Sequence, residues 1–149
     1  MIERPVADLL LQNLGRIEDR GRALREKTMR LLNDLPGYEW SGVYRLEGDT
    51  LHLDAYTGDA TDHTVIPVGR GVCGTAVAER RSQVIEDVQA LDNYLSCSIK
   101  TRSEIVVLIE RGDEILGQID IDGHEVGAFD ASDEGFLRRV AAILADRWE

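Results

Sequence analysis

The sequence predicts an α+β domain built on an antiparallel sheet, with helices at both ends of the chain. Three observations predict it. A leucine stripe at helical spacing opens the chain, two hairpin patterns with glycine turns occupy its middle, and an acid-capped apolar stripe closes it. Neither internal repeats nor low-complexity tracts interrupt this order.

Between Pro5 and Leu35, Leu10, Leu14, Ile17, Leu24 and Leu31 fall on one face of a helix. Gly15 and Gly21 each weaken that helix by about 1 kcal/mol relative to Ala, which leaves room for a bend or break. Leu35-Pro36-Gly37 ends it. Trp40 to Leu46 and Leu51 to Tyr56 read as strands joined through Glu47-Gly48-Asp49, and Gly58 to His63 reads as loop. Gly69-Arg70-Gly71-Val72-Cys73-Gly74 then leads into a short helix from Thr75 to Glu79, followed by a small strand at Val84-Ile85. Asp87 to Arg102 is mostly irregular. It exceeds the usual connection of about 4–6 residues, which marks a lid or binding loop. Glu104 to Glu110 and Glu114 to Asp122 form a second hairpin, and Phe136 to Trp148 a closing helix. Asp130 is its expected cap, with Asp133 and Glu134 in its first turn.

Length and charge exclude several classes. A chain of 149 residues suits one domain, residues 1–149 with the helical region 1–36 included, and can bury a core without staples. Seventeen Lys and Arg against 28 Asp and Glu give a net charge of −11. That field repels phosphate backbones and anionic lipid, so neither nucleic acid nor a membrane surface is an expected partner. No stretch approaches the roughly 18 apolar residues of a membrane span. The opening MIERPVADLL carries Glu3 and no long apolar run, so no secretory leader is expected and the cytoplasm is the expected location. Two cysteines, Cys73 and Cys97, are too few for a disulfide scaffold. In a reducing compartment they are buried hydrophobes, metal ligands or reactive thiols.

Patterning selects a register for the second hairpin, because opposed residues share a face. A loop of Arg111-Gly112-Asp113 sets Glu110 opposite Glu114 and Glu104 opposite Asp120. One face then collects Ile105, Val107, Ile109, Ile115, Ile119 and Ile121 with Gly117. The other carries Val106, Leu108, Leu116 and Gln118, ending in Glu104, Asp120 and Asp122. Three carboxylates within a few ångströms raise one another's pKa, so the patch calls for a cation, a proton or ordered donors. An exposed acidic strand end would look the same in sequence. Cys73 sits where unpaired helix N–H groups lower a thiol pKa, although a small residue packed under the turn gives the same pattern. Cys97 lies on the long loop seven residues before Glu104, with Lys100 and Arg102 near in sequence.

These blocks carry a family resemblance. Gly69-Arg70-Gly71-Val72-Cys73-Gly74-Thr75-Ala76-Val77-Ala78, Glu86-Asp87-Val88, Cys97 with Ser103-Glu104-Ile105-Val106, and Ile119-Asp120-Ile121-Asp122 resemble the free methionine-(R)-sulfoxide reductases, which are stand-alone GAF domains. Trp40 and Tyr44 match the family's early aromatic pair, and Gly127-Ala128-Phe129-Asp130 its closing turn. The match runs from about Trp40 to the end of the chain. It implies a GAF-like domain, with the terminal helices on one face of the sheet and ligand-binding loops on the other.

The resemblance also implies roles. Cys97 falls on the catalytic thiol, which attacks the sulfoxide sulfur while an acid protonates the oxygen. Glu104, Asp120 and Asp122 fall on the acidic substrate-site residues, and Trp40 and Tyr44 on the wall at the methyl-sulfoxide end. A second thiol then resolves the sulfenic acid to a disulfide that thioredoxin reduces, and with one family cysteine missing that thiol is Cys73 or an external one. No cofactor and no metal are implied. His63 stands where the family usually has a third cysteine, Ser98 where it has Asp, and Tyr94 where it has His. Two readings therefore stay open: a reductase of free methionine (R)-sulfoxide, and a GAF module that senses a small ligand without turnover. A zinc site of His63, Cys73, Cys97 and Asp120 lacks the paired spacing of structural zinc. His52 and His124 read as surface residues. The stripe of the first helix, joined by Phe136, Val140 and Leu144, is wider than a small sheet needs, so a homodimer through these helices is expected.

Overall fold

Gly21 decides how the chain begins. In the computed structural model, which describes residues 1–92, 94 and 99–149, the expected single helix is two: α1, Arg4–Arg16, and α2, Gly21–Asn33. Gly21 adopts a φ of 59°, a left-handed conformation that only glycine takes without steric cost, and its N–H donates to the Arg147 carbonyl. The break lets both helices lay their leucines on one sheet. Leu10 and Leu14 of α1 and Leu24, Met29 and Leu32 of α2 are buried, with Ile17 and Leu31 partly so.

The sheet has six strands in the order β3-β2-β1-β6-β5-β4, every neighbouring pair antiparallel. β1 (Trp40–Glu47) and β2 (Thr50–Thr57) form the first hairpin, and β3 (Val65–Pro67) adds an edge strand that the loop-like sequence did not announce. Helix α3 (Gly71–Glu79) starts four residues before its expected first residue, so Cys73 lies in its first turn. β4 (Gln83–Ile85) and a short 3₁₀ turn (Val88–Ala90) precede β5 (Ser103–Arg111) and β6 (Glu114–Gly123). Helix α4 (Ala131–Asp146) begins directly after Asp130, whose carboxylate accepts from the N–H groups of Ser132 and Asp133 in a capping box.

The register of β5 on β6 corrects the expected pairing. The turn is Gly112-Asp113 alone, with Arg111 opposite Glu114, and Leu116 is an extra residue between the pairs Ile109–Gly117 and Glu110–Ile115. The shorter turn and this β-bulge each move the pairing by one, and together they shift Glu104 from Asp120 to Asp122. It also exchanges two faces, so Leu116 joins the helix-side core and Ile115 the opposite side. The three acids still share a face, because the total displacement is even.

Helices α1, α2 and α4 cover one side of the sheet. Val43, Ile105, Val107, Ile109, Ile119 and Ile121 meet Leu14, Phe136, Leu137, Val140 and Leu144 there. Each fully buried side chain of this kind contributes about 1.5–3 kcal/mol. The stripe offered for a dimer, including Phe136, Val140 and Leu144, is consumed by the chain's own core, so its width is no argument for a second copy. Arg25 of α2 ties the end of the chain to this layer. It pairs with Asp54 of β2 at 2.5 Å, donates to the Trp148 carbonyl at 2.7 Å and stacks 4.1 Å over the Trp148 ring. No helix among the described residues is long and apolar enough to cross a membrane.

Candidate active site

The other side of the sheet carries the polar column. Side chains alternate along a strand, so Gln118, Asp120 and Asp122 of β6 share one face. The register places Tyr44, Gly42 and Trp40 of β1 against them on one flank and Leu108, Val106 and Glu104 of β5 on the other. Glu104, Gln118, Asp120 and Asp122 are all buried. The exposed acidic strand end is thereby excluded.

Helix α3 closes over this face. Its first turn brings the Cys73 thiol 3.9 Å from Glu104 Oε2, and Cys73, Glu104 and Asp120 offer one ligand-type atom each within 4.8 Å of one another. His63 is not in that cluster, and its carbonyl instead accepts a 2.7 Å hydrogen bond from the Tyr44 hydroxyl. Neither Asp120 oxygen reaches hydrogen-bond geometry with a described donor. Burial pushes the Asp120 carboxyl above the ordinary aspartate range, and the looser polar contacts with Glu104 and Cys73 work against that rise. A neutral Asp120 can share a proton with its neighbours, whereas an ionised one calls for a cation.

Trp40 is held by the absence of side chains around it. A Cβ on Gly42 would lie 2.4 Å from the indole ring, and one on Gly58 would lie 2.7 Å from it, so both positions leave the space the ring fills. Its Nε1 donates to the Asp59 carbonyl at 2.9 Å, and its ring stacks on Tyr56 with centroids 5.7 Å apart. Tyr44 is wholly buried behind it. Arg102 Nη2 lies 3.7 Å from the Asp87 carboxylate. Cys97 and Ser98 lie outside the described residues, so the structure describes six of the seven residues picked from sequence and brings those six to one face.

The space enclosed by Cys73, Glu104 and Asp120 with Ile66, Arg70, Gly71 and Val72 is about 10 Å³, near the room one water needs. An adjoining groove of about 280 Å³, lined by Gly71, Val72, Thr75, Gln83, Ile85, Leu91 and Asp92, shares two of these residues. The larger concavity between α2 and β2, about 610 Å³, is lined by none of Cys73, Glu104, Asp120 and Asp122. Sequence reasoning placed Gln118 on the site face without counting it a functional residue. A lone amide at an inward position of an apolar strand was the available signal.

Residues 22–149 match the family model described as a GAF domain. The free methionine-R-sulfoxide reductase of Escherichia coli is 43% identical over 114 residues, covering 76% of this chain and 68% of that one. The Neisseria meningitidis free methionine-R-sulfoxide reductase, solved in complex with its substrate, superposes with a TM-score of 0.88 at 33% identity, over 97% of this chain and 87% of that one. The Staphylococcus aureus fRMsr in complex with substrate gives 0.87 at 37%, over 96% and 95%. On this identity and coverage, the chain belongs to the free methionine-R-sulfoxide reductase family of GAF domains.

Proposed function

We propose that this chain, acting as one domain, reduces free L-methionine (R)-sulfoxide with Cys97 as nucleophile. The observation that carries the reading is the burial of Glu104, Asp120 and Asp122 on one sheet face with the Cys73 thiol over it, an acidic set that a cationic guest would neutralise. The ammonium of a free amino acid is such a guest, and relatives of this identity bear the corresponding name. Asp122 and Asp120 hold the ammonium, Trp40 and Tyr44 wall the methyl-sulfoxide end, and Glu104 donates the proton. The Cys97 thiolate attacks the sulfinyl sulfur, the protonated oxygen transfers to Cys97, and methionine leaves with a sulfenic acid on the enzyme. Cys73 then condenses with that sulfenic acid, releasing water and forming a disulfide. A dithiol such as thioredoxin reduces the disulfide and supplies the two electrons. Substrate access requires the narrow space under α3 to open toward the adjoining groove, since an amino acid exceeds one water.

A second reading, a sensor without turnover, is favoured by His63 at the place of the family's third thiol. The reading also places the protein in a reducing cytoplasm, where two cysteines are too few for a disulfide scaffold, and as a homodimer. The dimer needs surfaces other than the buried stripe, and a sedimentation mass of one chain at micromolar concentration would remove it. The deciding assay measures methionine formed from each sulfoxide epimer with dithiothreitol, for wild type and Cys97→Ser. Turnover of the R epimer alone, lost by about 10³-fold or more in the variant, is expected. Binding without turnover under any thiol leaves the sensor.

A further inference from the structure

Gln118 is the buried polar residue that the mechanism above leaves unused. It sits between Tyr44 of β1 and Leu108 of β5, fully enclosed, two positions before Asp120 on the same face. Neither its Oε1 nor its Nε2 has a hydrogen-bond partner among the described residues. Native proteins retain such an amide rarely, and a Leu or Met would fill this apolar layer without stranding two polar atoms. Packing therefore does not account for a glutamine here.

The complementary group is next to it. Neither oxygen of Asp120, also fully enclosed, is in hydrogen-bond geometry with a described donor, its contacts with Glu104 and Cys73 being looser. Alternate residues of a strand are about 6.6 Å apart, a span that a glutamine crosses by rotating its side-chain torsions with the backbone fixed. The other titratable or charged groups at this face are Glu104 on β5, Asp122 on β6, Tyr44 on β1, and Arg70 and Cys73 at the start of α3. Arg70, the cation among them, is exposed, and the two carboxyls repel an ionised Asp120. The Gln118 amide is a buried donor on the same strand that stays neutral and keeps its N–H groups at every pH, whereas Glu104 and Cys73 lose theirs on ionising.

We propose that Gln118 is a positioning residue for Asp120: its Nε2 donates to the ionised Asp120 carboxylate and holds it aimed at the substrate's ammonium. The inference rests on the assignment of Asp120 to substrate binding. Loss of one charge-assisted hydrogen bond corresponds to about 10- to 150-fold in affinity.

Gln118→Met removes the amide and keeps the length. In the full chain it should raise the KM for free methionine (R)-sulfoxide about 10-fold or more and move the acid limb of kcat/KM to higher pH. The kcat at saturation should stay within about twofold. In an Asp120→Asn background the same change should alter KM less than about twofold. Carboxyl-carbon NMR should find Asp120 titrating at higher pH in Gln118→Met than in wild type. That titration needs no turnover, so a protein without reductase activity would defeat the functional reading and leave the coupling measurable. If the variant does not fold, the wild-type Gln118 side-chain amide resonance should shift with the Asp120 midpoint. Unchanged Asp120 titration, an equal KM effect in the Asn background, or a pH-independent amide resonance would overturn the proposal.

Discussion

Asp133 and Asp120 are both wholly buried, on opposite sides of the sheet, and their surroundings are opposite too. Asp133, at the start of α4, accepts from the Tyr38 hydroxyl at 2.7 Å and from the Asp130 N–H at 3.0 Å, and the Met1 amine lies 2.8 Å away. Asp120 faces a carboxyl and a thiol, with neither oxygen in hydrogen-bond geometry. The helix side surrounds its buried acid with partners. The site side keeps acids close in a buried space, an arrangement that costs stability and gives a ligand something to neutralise.

That contrast can be broken by substitutions on either side. Glu104→Gln should lower kcat by about 10²–10⁴-fold while the melting temperature holds or rises, as read by steady-state kinetics and calorimetry. An equal loss of fold would show that Glu104 is structural. Leu137→Ala, in the helix-side core, should do the reverse. It should cost about 2–5 kcal/mol in urea unfolding and leave turnover per folded molecule unchanged.

Tyr38→Phe tests how well Asp133 is satisfied. Removing one donor from a buried carboxylate should cost about 1–3 kcal/mol, and no loss would mean the remaining partners suffice. The Tyr38 hydroxyl has its pKa raised by burial and by the Asp133 hydrogen bond, so it remains a donor throughout the accessible pH range. Asp120→Asn has the smallest expected effect, a gain of about 1 kcal/mol near neutral pH. Its pH dependence carries the information. Folded Asp120 keeps its proton to higher pH than the unfolded chain, whose aspartates titrate near about 3.9. Wild-type stability therefore falls as pH rises through that interval, so the advantage of Asn should grow there and shrink below about pH 3.9. A pH-independent difference between the two proteins would contradict the raised carboxyl.

Much of the fold and most of the candidate site were legible in the residues. Periodicity found the helical ends of the chain and both hairpins, though it read α1 and α2 as one helix with a possible break, Asp130 announced the α4 cap, and alternation put Glu104, Asp120 and Asp122 on one face. These are local signals, carried by spacing and by single side chains. The bulge at Leu116 was not legible, because either face of that strand end accepts an aliphatic residue and the turn length alone does not choose. β3 was hidden for a similar reason. Its three residues are too few for alternation, and their pairing is fixed by β2. The homodimer argument misjudged the leucine stripe, since spacing gives the width of an apolar face and says nothing of what covers it.

By itself, then, the sequence determined which residues point together along each element and which chemistry they bring. Tertiary structure decided which elements face one another, and with that the pairing of Glu104 with Asp122, the approach of Cys73 to Glu104 and the burial of Gln118 beside Asp120. The physical reason is range. Helical and strand periods are set within a few residues of backbone, whereas burial, desolvation and the supply of hydrogen-bond donors depend on groups brought from the far parts of the chain.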